Sequence, residues 1–562
     1  MLKTTRILGL KQIKMVWYGL IILFFIIFVC VPVLYSFVYV GTNWDAMQTH
    51  VLSDERLMSV FWRSAGISIF VALIVVVVDI LAGFPLAWLL ARKKFRGKEF
   101  LDTLVDLPLV IPTAALGFSI TLFWAHDLTA EIARPSSLSI VSTPLLIVIL
   151  LHIAFTYPYM VRSIKAGIEE VDITYEFAGA CFGAQRFTVV RTITLPIMKA
   201  ALLTGIVLCI ARSLSETGAT FLALSMVTDV NYASISSSPD ATLTAPALIN
   251  SLKNSGYAYI NEALGFMSML LILISIVLLV VIKQFGERVR FPFRKTYSIE
   301  TVLSRVSFAS VRDVSGILFF ALIVFLPGMF IISFVISDWG NRVNIDYWLL
   351  FKSLGISLLV AFLTTLICVC TAIPLAIYIG RGKHRKIADL LDVTANIPMI
   401  VPTVALGISL GLFWKNFVNT ENAFTAILVV VLAHVAFTFP FLVRTFASAL
   451  RQIPSDYEDA ARTLGAKPLT VFRKIIYPIF KPSIIAGIIM TFTRSLDETG
   501  ATIAVLPANS TITTIPVYIV QLVKAKDYYS AALASLILIV IAVIILLLVR
   551  MSTRSEEKCT SK

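Results

Sequence analysis

A chain of 562 residues that is 58% hydrophobic and only 14% charged, with a mean hydropathy of +0.90, is not a soluble protein, because globular domains carry about 25% charged residues. The net charge of +14 would suit a nucleic-acid binder only if the basic residues formed a patch or stripe, and they fall instead between long apolar runs. A disordered chain, a secreted disulfide scaffold and an ordinary cytosolic enzyme are excluded on the same grounds.

Runs of roughly 20 apolar residues, enough to cross about 30 Å of hydrocarbon, predict membrane spans at 16–40, 65–90, 101–125, 144–161, 200–224, 263–282, 315–336, 354–379, 390–414, 425–443, 483–505 and 529–549. The first begins after a basic N-terminus (Lys3, Arg6, Lys11, Lys14), is too long for a signal-peptide core and is followed by no small-residue cleavage site. With the N-terminus in the cytoplasm, inside segments hold 36 of the 47 Lys and Arg residues, so both termini are expected inside a multi-pass cytoplasmic membrane protein. Cys30, Cys181, Cys209, Cys368, Cys370 and Cys559 lie mostly in apolar segments without metal-ligand spacing, which predicts no metal site.

The chain repeats itself. Asp106 to Trp124 (DLPLVIPTAALGFSITLFW) recurs as Asn396 to Trp414 (NIPMIVPTVALGISLGLFW), Leu150 to Ser163 recurs as Leu432 to Thr445, and ARSLSETGAT from Ala211 recurs as TRSLDETGAT from Thr493. Each half therefore carries six spans in one order. Six is even, so the halves share a topology and the repeat is parallel. The expected fold is an all-α integral membrane protein with about twelve spans as two parallel six-helix repeats. The halves are placed at 1–282 and 315–562, joined by a basic cytoplasmic linker at 283–314.

In each half the inside loop between the fourth and fifth spans predicts a short helix and a turn, at 169–196 and at 455–478. Asp172 or Ser455 can cap the helix, and Gly183 or Gly465 can end it. The first loop holds Glu176, Ala178, Gly179, Gly183 and Leu195-Pro196; the second holds Glu458, Asp459, Ala460, Ala461, Gly465 and Tyr477-Pro478. This pattern resembles the EAA loop of ATP-binding-cassette (type I) importer permeases. With the six-span repeat, the likeness covers essentially the whole chain. Both copies depart from the family: the acidic place falls on Asp459 and Phe177, with Glu458 and Glu176 one residue earlier, Gly179 stands for Ala and Tyr477 for Leu.

The resemblance implies that the loop helices dock in clefts of two copies of a separate ATPase subunit on the cytoplasmic side. It also implies an extracytoplasmic substrate-binding protein that delivers cargo. Glu176 and Glu458 would contact the ATPase or brace the loop. The chain has no GxxxxGK[ST], so it is expected to bind no cofactor itself, to be no enzyme, and to leave ATP and Mg to the partner.

Within the fifth and eleventh spans, Arg212 with Glu216 and Arg494 with Glu498 are four residues apart, on one helix face, and charges at that depth must face protein or water. Two readings stand: the pairs fix packing between the halves, or the arginines line a translocation pathway or gate. Pro108 with Pro112 and Pro398 with Pro402 should kink or break the third and ninth spans, which favours pore-lining helices. His152 and His434 repeat as well and read as packing donors rather than ligands. Asp79 has only Cys368 as its counterpart.

The ETGAT segments resemble those of molybdate, tungstate and sulfate permeases, whereas fused permeases are similar to those for iron(III), thiamine and phosphonates. The intramembrane arginines incline the reading to an oxyanion. The alternative is a twelve-span secondary transporter driven by an ion gradient, with Asp79 and Glu216 as its intramembrane carboxylates.

Overall fold

The computed structural model describes residues 16–125, 143–237, 243–289, 297–337, 345–382, 385–419, 422–507, 510 and 512–560. Among these residues the regular elements are helices. Eight helices are long and apolar enough to span a bilayer singly: Val16–Thr42, Glu55–Arg92, Pro144–Glu170, Ile260–Gly286, Phe308–Ser337, Tyr347–Arg381, Ala423–Arg451 and Tyr528–Ile545. Four more predicted spans are helix pairs bent at a short break, which brings the total to twelve if each pair counts as one.

The third and ninth spans depart most from expectation. Lys98–Leu109 meets Thr113–Trp124 at 103°, and Arg385–Met399 meets Thr403–Trp414 at 105°. Each second arm has 12 residues, about 18 Å of helix, which is too short to cross the hydrocarbon alone. Proline chemistry explains the corner. Pro112 and Pro402 stand at the N-cap of the second arm with ψ of 135° and 134°, and Ile111 and Val401 before them are extended, as residues preceding proline tend to be. Pro108 and Pro398 sit inside the helices that precede each corner.

The fifth and eleventh spans also break twice. Arg186–Ile197 meets Lys199–Ser215 at 73°, and Phe472–Lys481 meets Ser483–Asp497 at 53°. The inner arms then stop at Glu216 and Glu498, which are extended, and short helices Gly218–Val227 and Gly500–Val505 follow. Both glutamates therefore stand at the break, just beyond the last helical residue of the inner arm.

The halves interlock through their first spans. Val16–Thr42 packs on Thr403–Trp414 of the second half, and Phe308–Ser337 packs on Thr113–Trp124 of the first. Each first span carries a wide π turn, Ile26–Cys30 or Phe320–Phe325, shortly before Pro32 or Pro327. Ser409 Oγ accepts from the Ser36 amide and donates to the Pro32 carbonyl, both at 2.8 Å. Ser119 Oγ does the same for the Ile331 amide (3.0 Å) and the Pro327 carbonyl (2.7 Å). A hydroxyl from one half is thus wedged between amide and carbonyl groups one helical rung apart in the other. Replacing Ser119 and Ser409 together with alanine leaves those backbone groups unpaired in a buried seam. The expected cost is about 1–3 kcal/mol per site, seen as a lower thermal unfolding midpoint of the detergent-solubilised chain.

The middle of the seam tolerates no side chain. A Cβ on Gly218 would lie 2.5 Å from Thr499 Cβ, and one on Gly500 would lie 2.6 Å from Thr403 Oγ1 and 3.0 Å from Thr217 Cβ. Small residues let the two broken spans touch across the seam between the halves.

The stretch expected as linker is partly helical. The sixth span runs through Arg288, a short helix Ser298–Leu303 follows, and the next helix opens at Val306. Thr188 Oγ1 donates to Glu300 at 2.7 Å, Arg191 Nε donates to the same carboxylate, and the Phe187 amide donates to Ser304 Oγ at 3.0 Å. The Arg191 bond, aided by Thr188, holds the Glu300 carboxyl below its ordinary range against the burial that opposes it. A group depressed in this way stabilises the clamp above its unfolded pKa of about 4.3 and loses that contribution as pH falls through the folded value. Intrinsic-rate-corrected hydrogen exchange over 298–303 is therefore expected to accelerate below about pH 4. In Glu300→Gln it should show no such step.

Candidate functional site

The first loop helix, Ile173–Cys181, is capped by Asp172, whose Oδ1 accepts from the Thr174 amide at 2.9 Å; that bond keeps the carboxyl below its ordinary range. The second, Ser455–Thr463, places its N-cap on Pro454 and has no side-chain cap. Both end alike. Gly183 and Gly465 have φ of +82°. Their amides close on Ala180 and Arg462, and the amides of Ala184 and Ala466 reach back to Gly179 and Ala461, a turn that a left-handed glycine permits.

The loop acids turn inward. Glu176 Oε1 accepts from Arg92 at 2.8 Å and from Thr194 Oγ1 at 3.1 Å, and Arg92 also donates to the Val171 carbonyl. Glu458 lies 3.0 Å from Arg381 Nε and 3.3 Å from Arg462, and Arg381 donates to the Ile453 carbonyl at 2.6 Å. Arg92 and Arg381 close the second and eighth spans, so each acid ties its loop helix to a span end. Asp459 and Phe177 point outward, with Ala178 and Ala460 exposed beside them. Ala461 is buried, and Gly179 packs so closely on Ile193 that a Cβ would approach it to 2.8 Å.

Each loop helix carries exposed apolar side chains. Phe182 is 92% exposed and Leu464 88%, with Tyr175 and Tyr457 also exposed beside them. Sequence reasoning passed over these residues. Their signal was available: aromatic or aliphatic side chains recur at the same offset of 282 as the glutamates.

The second constellation lies at the seam. Arg212 pairs with Glu216 at 2.8 Å, and its guanidinium stands over the Phe155 ring at 5.3 Å. Arg494 lies 3.6 Å from Asp497 rather than taking Glu498 as its described carboxylate contact; it also stands over Phe441 at 5.3 Å and reaches Tyr159 of the first half at 3.5 Å. Asp497 accepts from the Thr113 amide across the seam, and Thr403 Oγ1 donates to the Ser215 carbonyl at 3.3 Å. Pro112 and Pro402 thus deliver helix N-termini to the cluster from opposite halves. Glu216 Oε1 accepts from the Ala219 amide at 3.0 Å and Glu498 Oε1 from Ala501 at 2.8 Å, so both glutamates cap the helix beyond the break. Two guanidinium groups here face three carboxyl groups.

His152 bridges Ser213 (2.7 Å) and Thr220 (2.9 Å), and His434 bridges Ser495 and Thr502, each at 2.8 Å. Each ring staples the two sides of a broken span. Asp79 is fully buried between the second and fourth spans, where one carboxyl oxygen accepts from Thr156 at 2.6 Å; Cys368 meets Thr438 in the same place of the second half. Among the described residues, no group of three or more His, Cys, Asp or Glu side chains is placed to hold a metal.

The sequence model of the binding-protein-dependent transport system inner membrane component matches residues 83–291 and again 372–557. The chain belongs to this family. Each match leaves out the first span and most of the second span of its half, and includes that half's loop helix and its two broken spans. The chain is 31% identical over 154 residues to a probable sulfate transport system permease protein of Prototheca wickerhamii, covering 27% of this chain and 60% of that one. It is 30% identical over 213 residues to a molybdenum transport system permease protein of Mycobacterium tuberculosis, covering 35% and 78%. To the molybdenum permease protein of Escherichia coli K12 it is 33% identical over 172 residues, covering 30% and 73%. As an inner membrane component of this kind, the permease carries the family's domain twice in one polypeptide.

Proposed function

We propose that this chain is the complete membrane pathway of an ATP-driven, binding-protein-dependent importer, with two permease halves fused. The pair of loop helices carries the reading. Each is braced from within by a half-buried glutamate–arginine contact and presents an exposed aromatic or leucine residue at its tip. A rigid helix with an apolar tip suits a cleft in a partner, and a displacement of it moves the spans on either side as a unit. The partners are two ATPase subunits on the cytoplasmic face and a solute-binding protein on the other, with ATP hydrolysed by the former using Mg.

The cargo is a small oxyanion of the sulfate or molybdate kind, in keeping with the names of the relatives. The seam cluster acts as a gate rather than as an anion site, because its arginines are already faced by Glu216, Asp497 and Glu498. Opening the pathway separates Thr113 from Asp497 and Arg494 from Tyr159, contacts that cross between halves.

The test is uptake of radiolabelled sulfate and molybdate by proteoliposomes holding the chain, its ATPase and its binding protein. Uptake that requires ATP and the binding protein supports the reading. Uptake by the chain alone under an ion gradient contradicts it.

A further inference from the structure

At the end of the spans opposite the loop helices, a cavity of about 210 Å³ opens between the two halves. The first half contributes Phe221, Asn250 and Lys253; Gln521 and Lys524 come from the second. Lys253 Nζ donates to the carbonyls of Ile503 (2.5 Å), Ala504 (2.7 Å) and Leu506, which fixes its ammonium at the end of Gly500–Val505. Lys524 stands over the Phe221 ring at 4.6 Å. No carboxylate is among the lining residues, and the described ion pairs include none for either lysine.

Asn250 is 1% exposed, and both polar atoms of its amide lack a partner. Buried amides nearly always have one, so an unpartnered amide in the wall of a cavity marks a place for a ligand or an ordered water. Burial pushes the Lys253 amine down to about 7, but three accepting carbonyls call for three N–H donors and so favour its charged form; two such groups without a facing carboxylate make that ligand an anion. The contrast with the seam cluster is direct, since there the cations are outnumbered by their own carboxyl groups.

We propose that this cavity receives the oxyanion at the outer mouth, with Lys253 and Lys524 supplying charge and Asn250 a directional hydrogen bond. The inference rests on the oxyanion reading above and adds to it a place. The cavity joins both halves, so a movement of one half against the other would open or dismantle it.

Protection of Lys524 from a membrane-impermeant amine-reactive ester tests the site in the full-length purified chain, with sulfate, molybdate or tungstate compared against chloride at equal ionic strength. An oxyanion at ten times its Kd should slow acylation of Lys524 about tenfold by mass action. Asn250→Leu, and separately Asn250→Asp, should reduce the protection to less than about twofold. Equal rates in oxyanion and chloride overturn the site, as does protection that survives in both Asn250 variants. Protection without oxyanion uptake in proteoliposomes would leave the site standing and remove the substrate reading; uptake without protection would do the reverse.

Discussion

Replacing Arg212 with methionine is expected to destabilise the permease strongly, and replacing Arg494 as well should prevent stable folding. Removing one partner of a buried ion pair costs about 3–5 kcal/mol, because the other charge remains in a medium that cannot solvate it. Here the loss is compounded. Arg212 sits 2.8 Å from Glu216, and Asp497 and Glu498 are close enough to act on its charge. Adding Glu216→Gln to Arg212→Met should restore much of the folded yield, because glutamine removes a charge yet keeps an oxygen to cap the Ala219 amide. Thermal unfolding of the single and double variants in detergent measures this. A fully stable Arg212→Met chain that fails only in uptake would instead place the arginine on the substrate path.

Phe182→Asp combined with Leu464→Asp is expected to leave the permease folded and to separate it from its ATPase. Both side chains are almost wholly exposed, so the folded chain alone loses little. A hot-spot anchor at the centre of an interface costs about 2 kcal/mol or more when removed, about thirtyfold in affinity per site, and the aspartate placed here adds the cost of burying a charge. Two such losses should reduce capture of the ATPase by several hundredfold if the sites act independently. Surface binding of purified ATPase to the immobilised chain gives the number. Unchanged affinity would mean that the loop helices are not the docking points.

Much of this architecture is legible in the sequence because hydropathy and duplication are robust signals. The twelve apolar runs, the parallel repeat and the two loop helices depend on residue type over long stretches, and the structure builds helices from each. The right-angle corners at Pro112 and Pro402 were less accessible. An apolar run such as DLPLVIPTAALGF permits a kinked span or a corner, and neighbouring helices choose between them. Glu498 misled for a related reason: an i, i+4 spacing argues for a pair only where the chain keeps its course, and although Arg212 does meet Glu216, Arg494 turns to Asp497 while Glu498 caps the next helix. The contacts of Ser119 and Ser409 cross 208 to 377 residues of sequence, and no local pattern foretells them.

The central claim is that this chain works with a separate ATPase held at its loop helices. Its most direct test is affinity purification of the intact permease from its native membrane, followed by identification and quantitation of what accompanies it and by an ATPase assay. The account predicts two ATP-binding-cassette subunits per chain, with an ATPase activity that leaves the preparation when Phe182 and Leu464 are both replaced by aspartate. A permease that purifies alone and drives uptake from an ion gradient in liposomes would contradict it.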